Sequence, residues 1–158
     1  MRDLAGLDDR PAANVIPAMS ETALAKVRAL ESLAACQPQQ AIDTAHLFHA
    51  GLYARTIRIP AGVMITGALI KIPTVLIVSG DVVIYLDGEA RELHGYHVFA
   101  ASAGRKQAFV ALADTDMTML FPTEAKTVEA AEQAFTDETD LLVSHRDTSF
   151  NMITVTED

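Results

Sequence analysis

Short apolar runs that partly alternate with polar residues fill the middle of the chain, and this pattern predicts β-strands. The runs begin near residue 46, end at residue 122 and are separated by Gly, Pro or Asp. The predicted strands are 53–59, 63–65, 68–72, 75–78, 82–86, 90–93, 98–100, 108–112 and 117–121. Because no helical pattern interrupts the series, it predicts a closed antiparallel sandwich or barrel.

Helical periodicity lies on both sides of this region. Ser20 is a predicted N-cap, and apolar residues then recur every three or four positions, which predicts a helix over 21–35. A second helix is predicted after Pro122, with Thr123 as its cap. The predicted divisions are an extended N-terminal arm (1–19), a helix (20–37), a β-barrel (46–122), a C-terminal helical segment (123–147) and a tail (148–158). We expect the arm to be disordered or ordered by a neighbour, and the tail to be a strand or a docking arm.

Composition and charge exclude several classes of function. Half of the residues are hydrophobic, yet no unbroken apolar run is long enough to span a bilayer, so we expect a soluble protein with no membrane partner. The first residues lack the apolar stretch of a secretory signal, which favours the cytoplasm. The net charge of -9 argues against a nucleic-acid partner. The acidic run 124–140 is predicted to be a solvated helix face, and the single Cys36 a buried or half-buried structural thiol.

Three segments carry a resemblance to a known family. They are FHAGLYARTIRIPAG (48–62), VSGDVVIYLDG (78–88) and ASAGRKQAFVALADT (101–115), and the helix TEAKTVEAAEQAF follows them. In this order and spacing they resemble small cupin-like proteins of tailed bacteriophages and prophages. The resemblance covers residues 46–138 and implies a double-stranded β-helix, a jelly-roll variant in which two sheets form an open-ended barrel. The expected fold class is therefore an all-β, cupin-like barrel with an N-terminal arm and helix and a C-terminal helix and tail.

The resemblance also implies where metal ligands would stand. Cupins bind a divalent metal through two His and a Glu before a turn like the one at Gly80, and through a further His after a turn like the one at Gly104. Here residues 67–79 are apolar except for Lys71, Thr74 and Ser79, and the last ligand position falls near Gln107. Lysine, hydroxyl and amide groups do not replace imidazole and carboxylate ligands. We therefore predict no metal and no cofactor, and a closed core filled by Ile65, Leu69, Ile72 and Leu76.

Four of the remaining histidines are candidates for a displaced metal site. His46 and His49 are spaced HxxH, and on a helix they would share a face with Asp43. His94 and His97 repeat the spacing. Histidines in turns, exposed to solvent or hydrogen-bonded, are the alternative.

Four basic residues are candidates for contact with an anion or a partner. Arg55 and Arg58 lie on one predicted strand and point to opposite sides, so one of them faces the barrel interior. An inward arginine needs a carboxylate or a ligand anion, and a structural salt bridge is the simpler alternative. Arg105 and Lys106 follow a turn and are interpreted as an exposed solubilising pair, with an anion site as the alternative.

No catalytic residues are predicted, since Ser79 and Ser102 lie outside any nucleophile elbow. The preferred hypothesis is a non-enzymatic phage protein, a virion structural or assembly component of head, connector or tail. It would dock through its arms onto other phage structural proteins and onto copies of itself, first in the host cytoplasm and then in the virion. The alternative is a metal-free module that binds a small molecule or a host protein. The missing ligands disfavour a cupin-type isomerase or dioxygenase.

Overall fold

The structure is a computed structural model that describes residues 14–156, apart from the side chain of Val143. The strands are β1 (Val15–Ile16), β2 (Thr44–His49), β3 (Leu52–Ile59), β4 (Met64–Thr66), β5 (Thr74–Tyr85), β6 (Ala90–Ala101), β7 (Ala108–Ala111), β8 (Thr115–Pro122) and β9 (Asn151–Val155). The helices are α1 (Glu21–Ala34), α2 (Val128–Phe135) and α3 (Val143–Arg146), with 3₁₀ turns at Thr139–Leu141 and Thr148–Phe150. The predictions for residues 1–13 lie outside the described residues.

The described strands form one continuous sheet that folds over itself into two layers. One layer has the order β1-β6-β5-β8-β3-β2-β9. The second half of β5 leaves β8 and pairs with β7, which in turn pairs with β4. β5 and β6 pair along their whole length and so belong to both layers. This two-layered arrangement is a jelly-roll barrel, which confirms the predicted fold class.

Gly80 lies where β5 passes from one layer to the other. Its φ of +148° belongs to a region that other residues rarely adopt, and a Cβ there would lie 2.5 Å from Oγ1 of Thr115. The sequence predicts a turn at this position, but β5 continues through it as one strand. β6 likewise joins two predicted strands, with Gly95 directly opposite Gly80. The two glycines therefore allow a long strand pair to bend rather than to end.

Two further segments differ from the strand prediction. Residues 68–72 form no strand, and only Ile70 makes an isolated bridge, to Arg105. Conversely, residues 44–49 form β2, because their inward side chains alternate with exposed ones. The alternation includes inward Thr44 and His46, so a purely apolar criterion does not detect it.

The helix α1 begins as predicted at its N-cap Ser20, whose side chain accepts a hydrogen bond from Ala23 N (3.1 Å). It buries only a narrow face, formed by Ala23 and Val27, next to Met19. The helix α2 begins later than predicted, because Thr127 and not Thr123 is its N-cap. Among the described residues, no helix is long and apolar enough to cross a membrane.

The described parts of both terminal segments pack on the barrel of the same chain. β1 pairs in parallel with the end of β6, and β9 pairs in parallel with β2. The tail is thus a strand, one of the two structures predicted for it. Backbone hydrogen bonds to the barrel of the same chain therefore hold the described part of each segment.

Candidate functional site

A cavity of about 590 Å³ opens into the barrel and is lined both by barrel residues and by segments outside the barrel. The predicted closed core is therefore wrong, although Ile65 and Leu76 line the cavity. Leu69 and Ile72 are half-buried outside its lining. Exposed residues of the lining mark its opening, with 37–40 after α1 on one side and Arg146 on the other. The segments outside the barrel thus form walls of the cavity.

Arg105 is a buried cation in the cavity wall. It is 2% exposed, and its guanidinium donates to Ser102 O (2.7 Å), to Thr74 Oγ1 (2.6 Å) and, weakly, to Met119 Sδ (3.8 Å). Within residues 14–156, no carboxylate oxygen forms an ion pair with it. Burial lowers the pKa of Arg105 to about 10, so the group is charged at neutral pH. Its prediction as an exposed residue is wrong, because the loop that carries it folds into the barrel.

Gln107 lies on the same inner face two residues further along. Residues 105, 107 and 109 all line the cavity, as alternation along an extended segment requires. Gln107 is 5% exposed, and its Nε2 has no hydrogen-bond partner among the described residues. A buried amide donor without a partner costs about 1–3 kcal/mol, so this group is available to a ligand.

Arg55 adds a second cation to the wall. Its Nη1 lies 3.5 Å from Glu132 Oε2 but makes no hydrogen bond within the described part of the chain. The guanidinium also stands 5.6 Å from the ring centre of Phe135. Met119, which Arg105 touches, is the cross-strand neighbour of Arg55. The two arginines therefore flank one methionine side chain, and only Arg55 has a carboxylate partner.

Glu132 is itself shared among several groups. Its Oε2 accepts a hydrogen bond from Ser144 (2.5 Å), and its Oε1 is 3.8 Å from Nδ1 of His145. The carboxylate is 2% exposed, so the prediction that residues 124–140 form a solvated acidic face fails at this position. The reason is that α2 turns this residue towards Arg55 and the C-terminal segment. Glu132 therefore links the C-terminal segment to Arg55.

Lys106 points away from the cavity and holds two outer segments to the barrel. Its side chain is fully buried, and its Nζ contacts Glu31 of α1 (2.8 Å), Glu138 (3.5 Å) and the carbonyl of Gly67 (2.9 Å). Burial alone would raise the pKa of Glu138. Hydrogen bonds from Arg28 and from the backbone, together with the charge of Lys106, outweigh burial and lower it. Lys106 thus forms structural ion pairs, and the prediction that it is an exposed solubilising residue is wrong.

The side chains that face the cavity do not fit a divalent metal. The position where the resemblance implies a ligand is Gln107, and the adjacent inward residue is the cation Arg105. Thr74 faces Arg105, whereas Lys71 and Ser79 are exposed. A fixed positive charge repels a metal ion, and amide and hydroxyl groups are weak ligands for first-row metals.

The candidate histidines are not brought together. His46 and His49 lie on β2. Because successive side chains of a strand point to opposite faces, two residues three apart do so as well, and here His46 points inward and His49 outward. His46 is buried: its Nδ1 accepts from the hydroxyl of Tyr53 (2.7 Å), and its Nε2 donates to Oδ1 of Asn151 (2.9 Å). Burial lowers the pKa of His46 despite the bond to Asn151.

The second histidine pair lies at the bend of β6. His94 is exposed beside Asp81 (3.1 Å), and Nε2 of His97 donates to the carbonyl of His94 (2.8 Å). Within residues 14–156, no three His, Cys, Asp or Glu side chains are grouped as ligands of one metal ion would be. Both HxxH pairs are hydrogen-bonded, as their alternative predicts, but they lie on strands and not in turns.

The last two sequence candidates lie on the outside. Arg58 points away from Arg55, as predicted, and pairs with Asp116 at 3.2 Å on the exposed outer face. Cys36 is exposed at the end of α1, so the prediction of a buried thiol is wrong. The cause is that Cys36 follows the last residue of α1 and lies beyond the narrow buried face of Ala23 and Val27.

No family model matches the sequence, and no curated protein matches it. Solved structures of similar fold include ectoine synthase from P. lautus, with 16% identity over 63% of this chain and 76% of that one, at a TM-score of 0.46. A cupin superfamily protein from Desulfitobacterium hafniense has 14% identity over 56% of this chain and 83% of that one, at a TM-score of 0.44. The cupin domain of a transcriptional regulator from Enterobacter cloacae has 19% identity over 52% of this chain and 99% of that one, at a TM-score of 0.41. The jelly-roll fold follows from the strand topology of the chain itself, and the phage origin stays a prediction.

Proposed function

We propose that this chain is a binding module for a small, largely apolar molecule, without a metal and without catalysis. The single observation that carries the proposal is the cavity in the barrel. Its volume of about 590 Å³ falls within the range of small-molecule sites, about 300–1,000 Å³. A core that served stability alone would be packed without a void of this size.

The chemistry of the lining indicates what the cavity accepts. Most inner-face residues are apolar, among them Ile57, Leu76, Phe109 and Met117. Methionine side chains are flexible and polarizable, and so they adapt to ligands of different shape. Among the polar residues of the lining, Arg105 and Gln107 are buried and Arg55 is half-buried inside the barrel, whereas Gln37, Gln39, Gln40 and Arg146 are exposed at the opening. This arrangement supports a ligand with an apolar body and one polar end.

The virion structural role stays a prediction from the sequence, as do the phage partners, the homo-oligomer and the location in host and virion. One argument for that role weakens, because β1 and β9 pair with the barrel of their own chain. Mass spectrometry of purified particles of a parent phage tests it directly. A binding module that is also a virion component would satisfy both hypotheses.

A neutral fluorescent probe tests the binding function. We expect N-phenyl-1-naphthylamine to bind with a saturable increase in fluorescence and a stoichiometry near one per chain. Ala68 lines the cavity and is 3% exposed, so Ala68→Phe places a ring in the ligand volume and should abolish the signal. Ala90 is exposed at the start of β6, so Ala90→Phe is the matched control and should bind like the wild type. Absence of saturable binding, or equal binding by both variants, would overturn the proposal.

A further inference from the structure

We propose that the ligand of this cavity carries a carboxylate, which Arg105 and Gln107 bind. The inference rests on the proposed function and names the chemical class of its ligand. Two inward side chains of the barrel lack a full set of partners among the described residues. In that part of the chain, the guanidinium of Arg105 has no anion beside it, and Nε2 of Gln107 has no hydrogen-bond acceptor.

The missing partner matters most at Arg105. A buried guanidinium is costly unless an anion accompanies it. Its observed partners are a carbonyl, a hydroxyl and a sulfur atom, all of them neutral. These contacts orient the group towards its position in the cavity wall and leave its charge uncompensated. An anion in the cavity would supply the missing compensation and would gain a charge-assisted hydrogen bond.

Gln107 provides the second donor at the same place. Inward residues two apart on an extended segment are separated by about 6.7 Å along the chain, so the side chains of 105 and 107 can reach one small group between them. The free Nε2 of Gln107 then donates to one oxygen, and Arg105 donates to the other. Arg55, across Met119, is a second guanidinium in the wall, but its ion pair with Glu132 leaves Arg105 as the buried cation without an anionic partner among the described residues.

A carboxylate fits this environment better than a phosphate does. The planar guanidinium matches the planar carboxylate group. A phosphate dianion carries more charge and needs more donors than one buried arginine and one amide present. Most of the remaining lining residues are apolar, so the rest of the ligand should be an alkyl or aryl group. The site therefore suits a small monocarboxylate with a hydrocarbon body.

Matched pairs of ligands test the charge of the bound group. We would titrate the protein calorimetrically with butanoate, hexanoate, octanoate and benzoate, and with the primary amide of each, which has nearly the same shape and no charge. We expect at least one carboxylate to bind one per chain and about tenfold or more tighter than its amide. Phenyl phosphate and inorganic phosphate are the comparison for the other anion class, and both should bind more weakly.

Three variants assign the effect to residues. Arg105→Met should lose the preference for carboxylate over amide, and Gln107→Leu should reduce it several-fold. Arg58→Met removes an exposed arginine from the outer face of the same barrel and should change nothing. The neutral naphthylamine probe should still bind all three variants, which shows that the cavity is intact in each.

The outcomes separate this inference from the function on which it rests. If the probe fails to bind wild-type protein, the binding function itself is wrong. If the probe binds but no carboxylate does, or amides bind equally well, the binding function stands and the carboxylate assignment fails. Tighter binding of phenyl phosphate, or unchanged selectivity in Arg105→Met, would also overturn the assignment.

Discussion

Gly80→Ala should strongly destabilise the barrel, for reasons that can be separated. The added Cβ would lie 2.5 Å from Oγ1 of Thr115, 2.8 Å from its Cα and 2.9 Å from the carbonyl oxygen of Asp114. Two of these atoms belong to the backbone, so a change of rotamer cannot relieve the overlap. The hydroxyl of Thr115 shares its one proton between the carbonyls of Asp81 and Ala113, and the intruding methyl group would disturb this bond.

The magnitude follows from two contributions. Holding alanine at a φ of +148° costs about 1–3 kcal/mol, and inserting a methyl group into a packed site costs about 1–3 kcal/mol more. Gly95→Ala is the matched control, because Gly95 is the cross-strand partner of Gly80. It has a φ of +83° with no atom within 4 Å of the added Cβ, so only the backbone cost applies, about 1–2 kcal/mol.

Urea denaturation of wild type and both variants measures this difference. We expect Gly80→Ala to lower the free energy of unfolding by about 2–6 kcal/mol, and by at least about 1 kcal/mol more than Gly95→Ala does. The slope of the free energy against urea should be the same for all three proteins. Equal destabilisation by the two substitutions would refute the argument, since it would mean that Thr115 does not restrict the site.

Two other predictions concern buried titratable side chains. Because burial lowers the pKa of His46, protonation favours the unfolded state. Stability should be at its full value above about pH 6.5 and fall, by up to about 1.4 kcal/mol per pH unit, as the pH drops towards the lower pKa of the folded protein. Chemical denaturation between pH 5 and 8 measures this slope, and an undiminished slope in His46→Gln would contradict the assignment. Lys106→Met should cost about 2 kcal/mol, because it removes the contacts with Glu31 and Glu138, whose partial exposure limits the loss. The exposed pair of Lys71 provides the control, and Lys71→Met should cost less than about 1 kcal/mol in the same thermal or urea measurement; similar losses would argue against the burial of Lys106 as the cause.

The sequence predicts elements well where local patterns decide the structure. α1 begins at Ser20 because the cap and the apolar stripe are both local signals. β3 was predicted to within one residue, and the opposite directions of Arg55 and Arg58 follow from alternation alone. Gly80 misled the prediction because a glycine that bends a continuous strand has the same local sequence as one that ends it.

The candidate site was predictable only in part, because its character depends on residues distant in sequence. The position of Gln107 in the barrel interior follows from the resemblance. The burial of Arg105 does not, since the surrounding Ala-Gly-Arg-Lys-Gln sequence is typical of an exposed turn. Lys106 finds its carboxylates on α1 and on the C-terminal segment, and no local pattern indicates those contacts. The same two segments also line the cavity. The pattern of the barrel strands alone does not indicate a cavity and predicts a filled core.

The parallel pairing of β2 with β9 has a consequence for folding during synthesis. β2 lies at residues 44–49, but its outer neighbour begins only at residue 151. During synthesis, all the remaining strands of the layer are therefore complete while the backbone donors and acceptors on one side of β2 are still unpaired. Unpaired strand edges recruit other chains, and contacts between distant parts of a sequence form slowly. Nascent chains released before residue 151 should consequently aggregate through β2, and the final strand protects the protein as the last part of the barrel to form.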